Sequence, residues 1–160
     1  MTHEHWLDFL SQHQPMPDHP NPELMALYKE ATSWFYNNPN KKCIPLFLSS
    51  FGDWEDLHVY ESVQSVLSRF QPEDVIPHIK SGLQNDNETI RFWCCDTVRI
   101  FPDDSLVAYI SPILESENSI VRYVAAAALE AIGSTYAKTV AAHYLLSETD
   151  EQVRDSLLNV

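Results

Sequence analysis

The sequence predicts an all-α fold, an α-solenoid in which helical hairpins stack in a row, and three observations carry that prediction. Apolar residues recur with the helical period of 3.6. The same apolar stripe returns at a nearly fixed interval along the chain, which is the signature of a repeat architecture. Glycine is almost absent, at 3 of 160 residues. That is too few for a βαβ phosphate loop or for the tight turns of an all-β sandwich.

The elements follow in chain order. Trp6, Phe9 and Leu10, at i, i+3 and i+4, predict a short first helix. Pro15, Pro17, Pro20 and Pro22 make residues 14–22 a loop. A second helix runs from Pro22 to about Tyr36, with Leu24, Leu27, Tyr28, Ala31, Trp34 and Phe35 on its apolar face, and the polar stretch around Pro39 ends it. Residues 1–42 fall outside the repeat register and read as an N-terminal helical cap, because an end unit must cover its open core face. Residues 43–160 carry the repeats, and 1–160 is expected to be one domain.

Val59, Ile90, Val121 and Val153 anchor four units, spaced 31, 31 and 32 residues apart. Three residues before each anchor stand Asp56, Asn87, Asn118 and Asp150, all good helix N-caps. Apolar residues follow at four, eight and eleven positions past the anchor: Val63, Leu67 and Phe70; Cys94, Val98 and Phe101; Ala125, Leu129 and Ile132; then Leu157. Each of these helices is preceded by another in the first three units, around Cys43–Leu48, Val75–Leu83 and Leu106–Leu114, where Pro45, Pro77 and Pro112 sit in first turns or at kinks. Pro72 and Pro102 help stop the second helices of two units, and Gly133 ends another as a left-handed cap. The last helix is expected over 150–160, giving about three and a half helical pairs, either a complete protein or part of a longer array.

Composition narrows the function. Apolar residues are 44% and aromatics 11%, enough for a packed core. Ten Lys and Arg stand against 23 Asp and Glu, a formal charge of −13. So acidic a chain is not expected to bind nucleic acid or an anionic membrane, both of which need clustered cations. It is suited instead to attract basic proteins. No apolar run approaches the ~18 residues of a membrane span. The opening Met-Thr-His-Glu-His-Trp has no basic stretch followed by an apolar one, so no secretory signal is expected. Cys43, Cys94 and Cys95 form no Cys-x-x-Cys motif, and neighbouring Cys94 and Cys95 point to different helix faces. Neither a disulfide framework nor a zinc site is predicted, and a reducing cytoplasm is the expected location.

The segment from Asn118 through Val121-Arg122 and the alanine run to Ile132-Gly133 resembles the second helix of the short bacterial HEAT-like repeat, the phycobilisome-lyase type. Asp86 to Arg91 and Asp150 to Arg154 are similar to its opening. The first unit departs, with Tyr60 where arginine would stand. The resemblance spans about residues 43–160 and implies a solenoid whose second helices line a concave surface, used by most members to bind proteins.

Several residues are candidates for partner contact. Arg91, Arg122 and Arg154 follow their anchors directly, either pairing with the cap of a neighbouring unit or anchoring a partner. The next position carries Glu61, Phe92, Tyr123 and Asp155, at the edge of the buried stripe. Tyr60, Phe92 and Tyr123 are read either as exposed hot-spot aromatics or as packing between units. Asp96 and Arg99, one and two turns past Phe92, should face the same groove. The turns before the second helices are acidic around Asp53, Asp86, Glu115 and Glu148, which complements helix dipoles and would align into an acidic edge. Trp54, in the longest turn, is either a staple or a contact.

No chemistry-bearing constellation appears. None of the seven histidines pairs with another at i, i+4. His-Glu occurs once, at His3-Glu4, so a HEAT-type di-iron hydroxylase is not expected, and no Gly-x-Ser-x-Gly elbow exists. Cys94 falls in the core stripe, and Cys95 is placed on the open side. The expectation is therefore a non-enzymatic protein-binding module without cofactor or metal. More specifically, it resembles an immunity protein that neutralises a basic toxin. The alternatives are a phycobiliprotein lyase-like chromophore-handling protein and an adaptor subunit of a larger assembly.

Overall fold

The structure, a computed structural model, describes residues 2–17, 19–52 and 57–160, without the side chains of residues 57 and 58. Its regular elements are helical, and no strand occurs among the described residues. The helices are α1 (His3–Ser11), α2 (Pro22–Asn37), α3 (Cys43–Leu48), α4 (Leu57–Leu67), α5 (Pro72–Leu83), α6 (Glu88–Val98), α7 (Val107–Ile110), α8 (Ser119–Ile132), α9 (Thr135–Leu145) and α10 (Glu151–Leu158). Short 3-10 segments, Asp104–Leu106 and Ser111–Glu115, flank α7. None of the described helices is long and apolar enough to cross a membrane. The chain divides into two compact units, Met1–His78 and Ile79–Val160.

In the first unit α1 packs on α3 and α2 on α4, so the N-terminal helices join the first repeated pair rather than standing apart from it. The reason is aromatic. Tyr28, Phe35, Phe47, Phe51 and Tyr60 are all fully buried. They meet edge-to-face, with Tyr28 6.0 Å from both Phe47 and Tyr60, and Phe51 5.3 Å from Tyr60. Such pairs add to the gain from area burial. The tyrosine hydroxyls of this cluster are hydrogen-bonded, whereas the buried indole N–H groups of Trp6 and Trp34 find no partner among the described residues. The Tyr28 hydroxyl is 2.5 Å from the Ser50 hydroxyl, which donates to the Phe47 carbonyl at 2.7 Å. The Gly52 N–H donates to the Tyr60 hydroxyl at 2.9 Å. On α2 the buried set includes Met25 and Thr32, while Leu27 is 38% exposed, so the apolar face is rotated slightly from the one read in the sequence.

In the second unit α8 packs against both α6 and α10, and α9 packs against α8 and α10. The stripe predicted from the repeat is buried at Ile90, Cys94, Val98 and Phe101, at Val121, Ala125 and Leu129, and at Val153 and Leu157, while Ile132 is half-buried. The caps behave as expected. Asn87 accepts from the Thr89 and Ile90 N–H groups, Asn118 from Ile120, and Asp150 from Gln152 and Val153. Gly133 has φ 60° and its N–H returns to the Leu129 carbonyl at 2.9 Å, which closes α8. Asp56, the predicted cap of α4, lies outside the described residues. The segment predicted as one helix over Leu106–Leu114 is broken into 3-10, α and 3-10 pieces. Pro112 lacks the N–H that would continue an α-helical ladder. Cys95 is a correction to the sequence reading: it is fully buried, because α6 buries Trp93, Cys95 and Thr97 as well as its stripe.

Candidate functional site

Two surface features of the second unit bring the predicted residues together. The first is a groove of about 580 Å³ between α6 and α8. Its α6 wall presents Phe92, Asp96 and Arg99, at i, i+4 and i+7, so all three fall on one side of the helix. Its α8 wall presents Ile120, Tyr123, Ala127 and Glu130, with Val124 and Ala131 beside them. Ile120 is 64% exposed and Tyr123 47%, high values for large apolar side chains. The Asp96 carboxylate lies 3.3 Å from the Arg99 guanidinium. Four of the sequence-predicted contact residues, Phe92, Asp96, Arg99 and Tyr123, thus line one groove.

The second feature is a wider groove of about 990 Å³ along the turns. Leu83, Tyr109 and Ile113 give it an apolar floor, and Asp86, Glu88, Glu115 and Glu117 supply its carboxylates. The acidic turns of two successive units therefore do align, as their spacing predicts. Part of this charge is engaged. Glu88 accepts from the Ser116 hydroxyl at 2.8 Å and Glu115 from the Tyr144 hydroxyl at 2.9 Å. Among the described residues the carboxylates of Asp86 and Glu117 take no hydrogen bond or ion pair.

Other predicted contacts are structural. Arg91 donates to the carbonyls of Asn85 at 2.6 Å and Asp86 at 2.9 Å. Arg122 donates to Ser116 at 2.8 Å and Glu117 at 3.1 Å, and Arg154 to Leu145 and Glu148. Each arginine thus ties down the backbone of the turn that precedes its own helix, not a cap in a neighbouring unit. Arg122 also grips Glu148 with two bonds, 2.8 and 3.0 Å, and the Thr149 and Asp150 N–H groups donate to the same carboxylate at 2.9 Å. The bond to Arg122, and then those N–H groups, hold the Glu148 carboxyl down at about 2.

Compared with protein-family models the chain matches none, and no curated protein shows a significant match.

Tyr60 is corrected from contact to core: it is 0% exposed and occupied by Gly52 and its aromatic neighbours. It stands where the other units carry arginine, and it performs a related task by holding its own preceding loop. Glu61 on α4 and Asp155 on α10 are exposed, and neither lines the α6–α8 groove. Trp54 lies outside the described residues. The sequence reading missed Ile120 and Glu130. Ile120 sits one residue before its anchor, and a lone exposed isoleucine there has no signal until the facing wall is known.

Two kinds of reactive group can be followed through the described residues, metal-ligating clusters and thiols. No group of three or more His, Cys, Asp or Glu residues that could hold a metal occurs among them. Burial pushes the thiols of Cys43 and Cys94 up to about 12 and that of Cys95 well above its ordinary value. A thiol held protonated at neutral pH is not a nucleophile.

Proposed function

We propose that this chain is a non-enzymatic, cytoplasmic protein-binding module of stacked HEAT-like hairpins, and that it serves as an immunity protein neutralising a basic toxin. The observation that carries this reading is the meeting of Phe92, Ile120 and Tyr123 with Asp96 and Glu130 in one open groove. Large exposed apolar side chains rimmed by charge are typical of interface centres. The net charge of −13 and the carboxylates along the turns favour a cationic partner and speed its capture. Repeat periodicity, shared caps and the packing of α8 against α6 and α10 support the solenoid reading.

The test is capture of partners from the native organism on the tagged chain, followed by salt titration. The reading expects a basic protein whose affinity falls as salt rises, and whose capture is weakened by Tyr123→Ala with helicity unchanged. A neutral or acidic partner with salt-independent affinity overturns it.

A further inference from the structure

We infer that the α6–α8 groove is a seat for an amphipathic helix with a basic flank, supplied by the partner; this deepens the protein-binding reading and rests on it. The inference starts from α8, which is apolar on two sides. One side, with Val121, Ala125 and Leu129, is the buried core stripe. The other, Ile120, Tyr123, Ala127 and Ala131, follows helical spacing and lines the groove instead. A second apolar stripe of this kind is what a helix needs to receive another helix.

The dimensions agree. Ile120 to Ala131 covers twelve residues, eleven rises of 1.5 Å, so the α8 wall is about 16 Å long, or three helical turns. Ala127 and Ala131 lie one turn apart and carry only a methyl group each, which lets a docked backbone come close. Phe92 and Tyr123 give the aromatic surface that dominates binding energy in such contacts.

Charge chooses the partner's flank. Arg99 is paired with Asp96, whereas the exposed Glu130 takes no hydrogen bond or ion pair among the described residues. The groove therefore carries one spare negative charge inside an already acidic chain. The fitting occupant bears Leu- or Ile-sized anchors at i, i+4 and i+7 and a Lys or Arg beside them. A second copy of this chain suits the site poorly, because it brings a charge of −13.

The probe is a labelled synthetic amphipathic helix of Leu and Lys, compared with a scrambled peptide of the same composition, by fluorescence anisotropy on the full chain. The ordered peptide should bind about tenfold tighter than the scrambled one, and Ile120→Ser or Tyr123→Ala should each remove about that factor. Glu130→Lys should weaken binding more than Glu151→Lys, an equal charge change on exposed α10. Circular dichroism should be unchanged in all four variants. Equal binding of the two peptides, or equal effects of the two charge reversals, reduces the attraction to bulk charge and overturns the proposal. So does concentration-dependent dimerisation that Tyr123→Ala abolishes, since the occupant would then be a second copy. A cellular partner whose capture ignores all groove variants sinks this assignment and leaves the protein-binding reading standing. Capture of no protein at all sinks that reading.

Discussion

Glu148→Gln removes one charge from the tightest ion pair in the second unit. The Glu148 side chain is 7% exposed and that of Arg122 16%, so water screens the pair little. The carboxyl falls from an ordinary 4.5 to about 2 in the folded chain. At about 1.4 kcal/mol per pKa unit, that shift corresponds to roughly 3 kcal/mol of stability near neutrality. The glutamine keeps a hydrogen-bonding oxygen, and Arg122 keeps the Ser116 and Glu117 carbonyls, so the expected loss at pH 7 is about 2–3 kcal/mol. Because folding lowers this pKa, the stabilisation is fully present above about 4.5 and disappears as pH falls through about 2. Urea unfolding followed by circular dichroism, at several pH values, reads both features. The gap between wild type and variant should be largest at pH 7 and shrink by roughly half or more by pH 3. A gap below about 0.5 kcal/mol at pH 7, or one that does not change between pH 7 and pH 3, refutes the role given to this pair.

Other substitutions probe the packing. A Cβ at Gly82 would collide with the buried Cys94 sulfur. Gly82→Ala should therefore cost about 1–3 kcal/mol despite alanine's better helix propensity. Adding Cys94→Ala should restore part of that loss, and a double-mutant cycle showing no coupling would be inconsistent with the contact. Tyr60→Phe leaves the buried Gly52 N–H without its acceptor and should cost about 1–3 kcal/mol in denaturant midpoints, with little effect on partner capture. Asn118→Ala removes the cap of α8 and should cost about 1 kcal/mol, while Asn118→Asp should be nearly neutral.

Much of the second unit was legible because burial follows the helical period. Ile90, Cys94 and Val98 could be placed without any structure, and so could the Asn and Asp caps and Gly133. Phe92, Asp96 and Arg99 fall together from spacing alone, since residues three and four apart on a helix share a side, and Tyr123 on α8 matches Phe92 by repeat register. What escaped was set by neighbours instead of by period. The helix α9 buries only Ala137 and Ala141, and alanine gives little hydropathy contrast for a stripe to stand out. Cys95 was misplaced because a helix covered on more than one side hides residues beyond its stripe. Tyr60 was misread because its partner, Gly52, lies in a loop whose path no periodicity describes. The arginines were rightly grouped, but their acceptors are backbone carbonyls, and a sequence does not show where those point.

The arginine ties separate two properties that often conflict in a surface. Arg91 and Arg122 grip main-chain oxygens at 85, 86, 116 and 117, so this part of the hold on the turns does not pass through the outward side chains of Asp86 and Glu117. The outward groups of Asp86 and Glu117 can be exchanged for others while the loop keeps its path. Binding preference along that edge is then free to be rewritten one residue at a time. Asn85, Ser116 and Glu148 are the exceptions, since their side chains accept from the Asn87, Asn118 and Asp150 N–H groups, and these are the places where such rewriting would meet resistance from the fold.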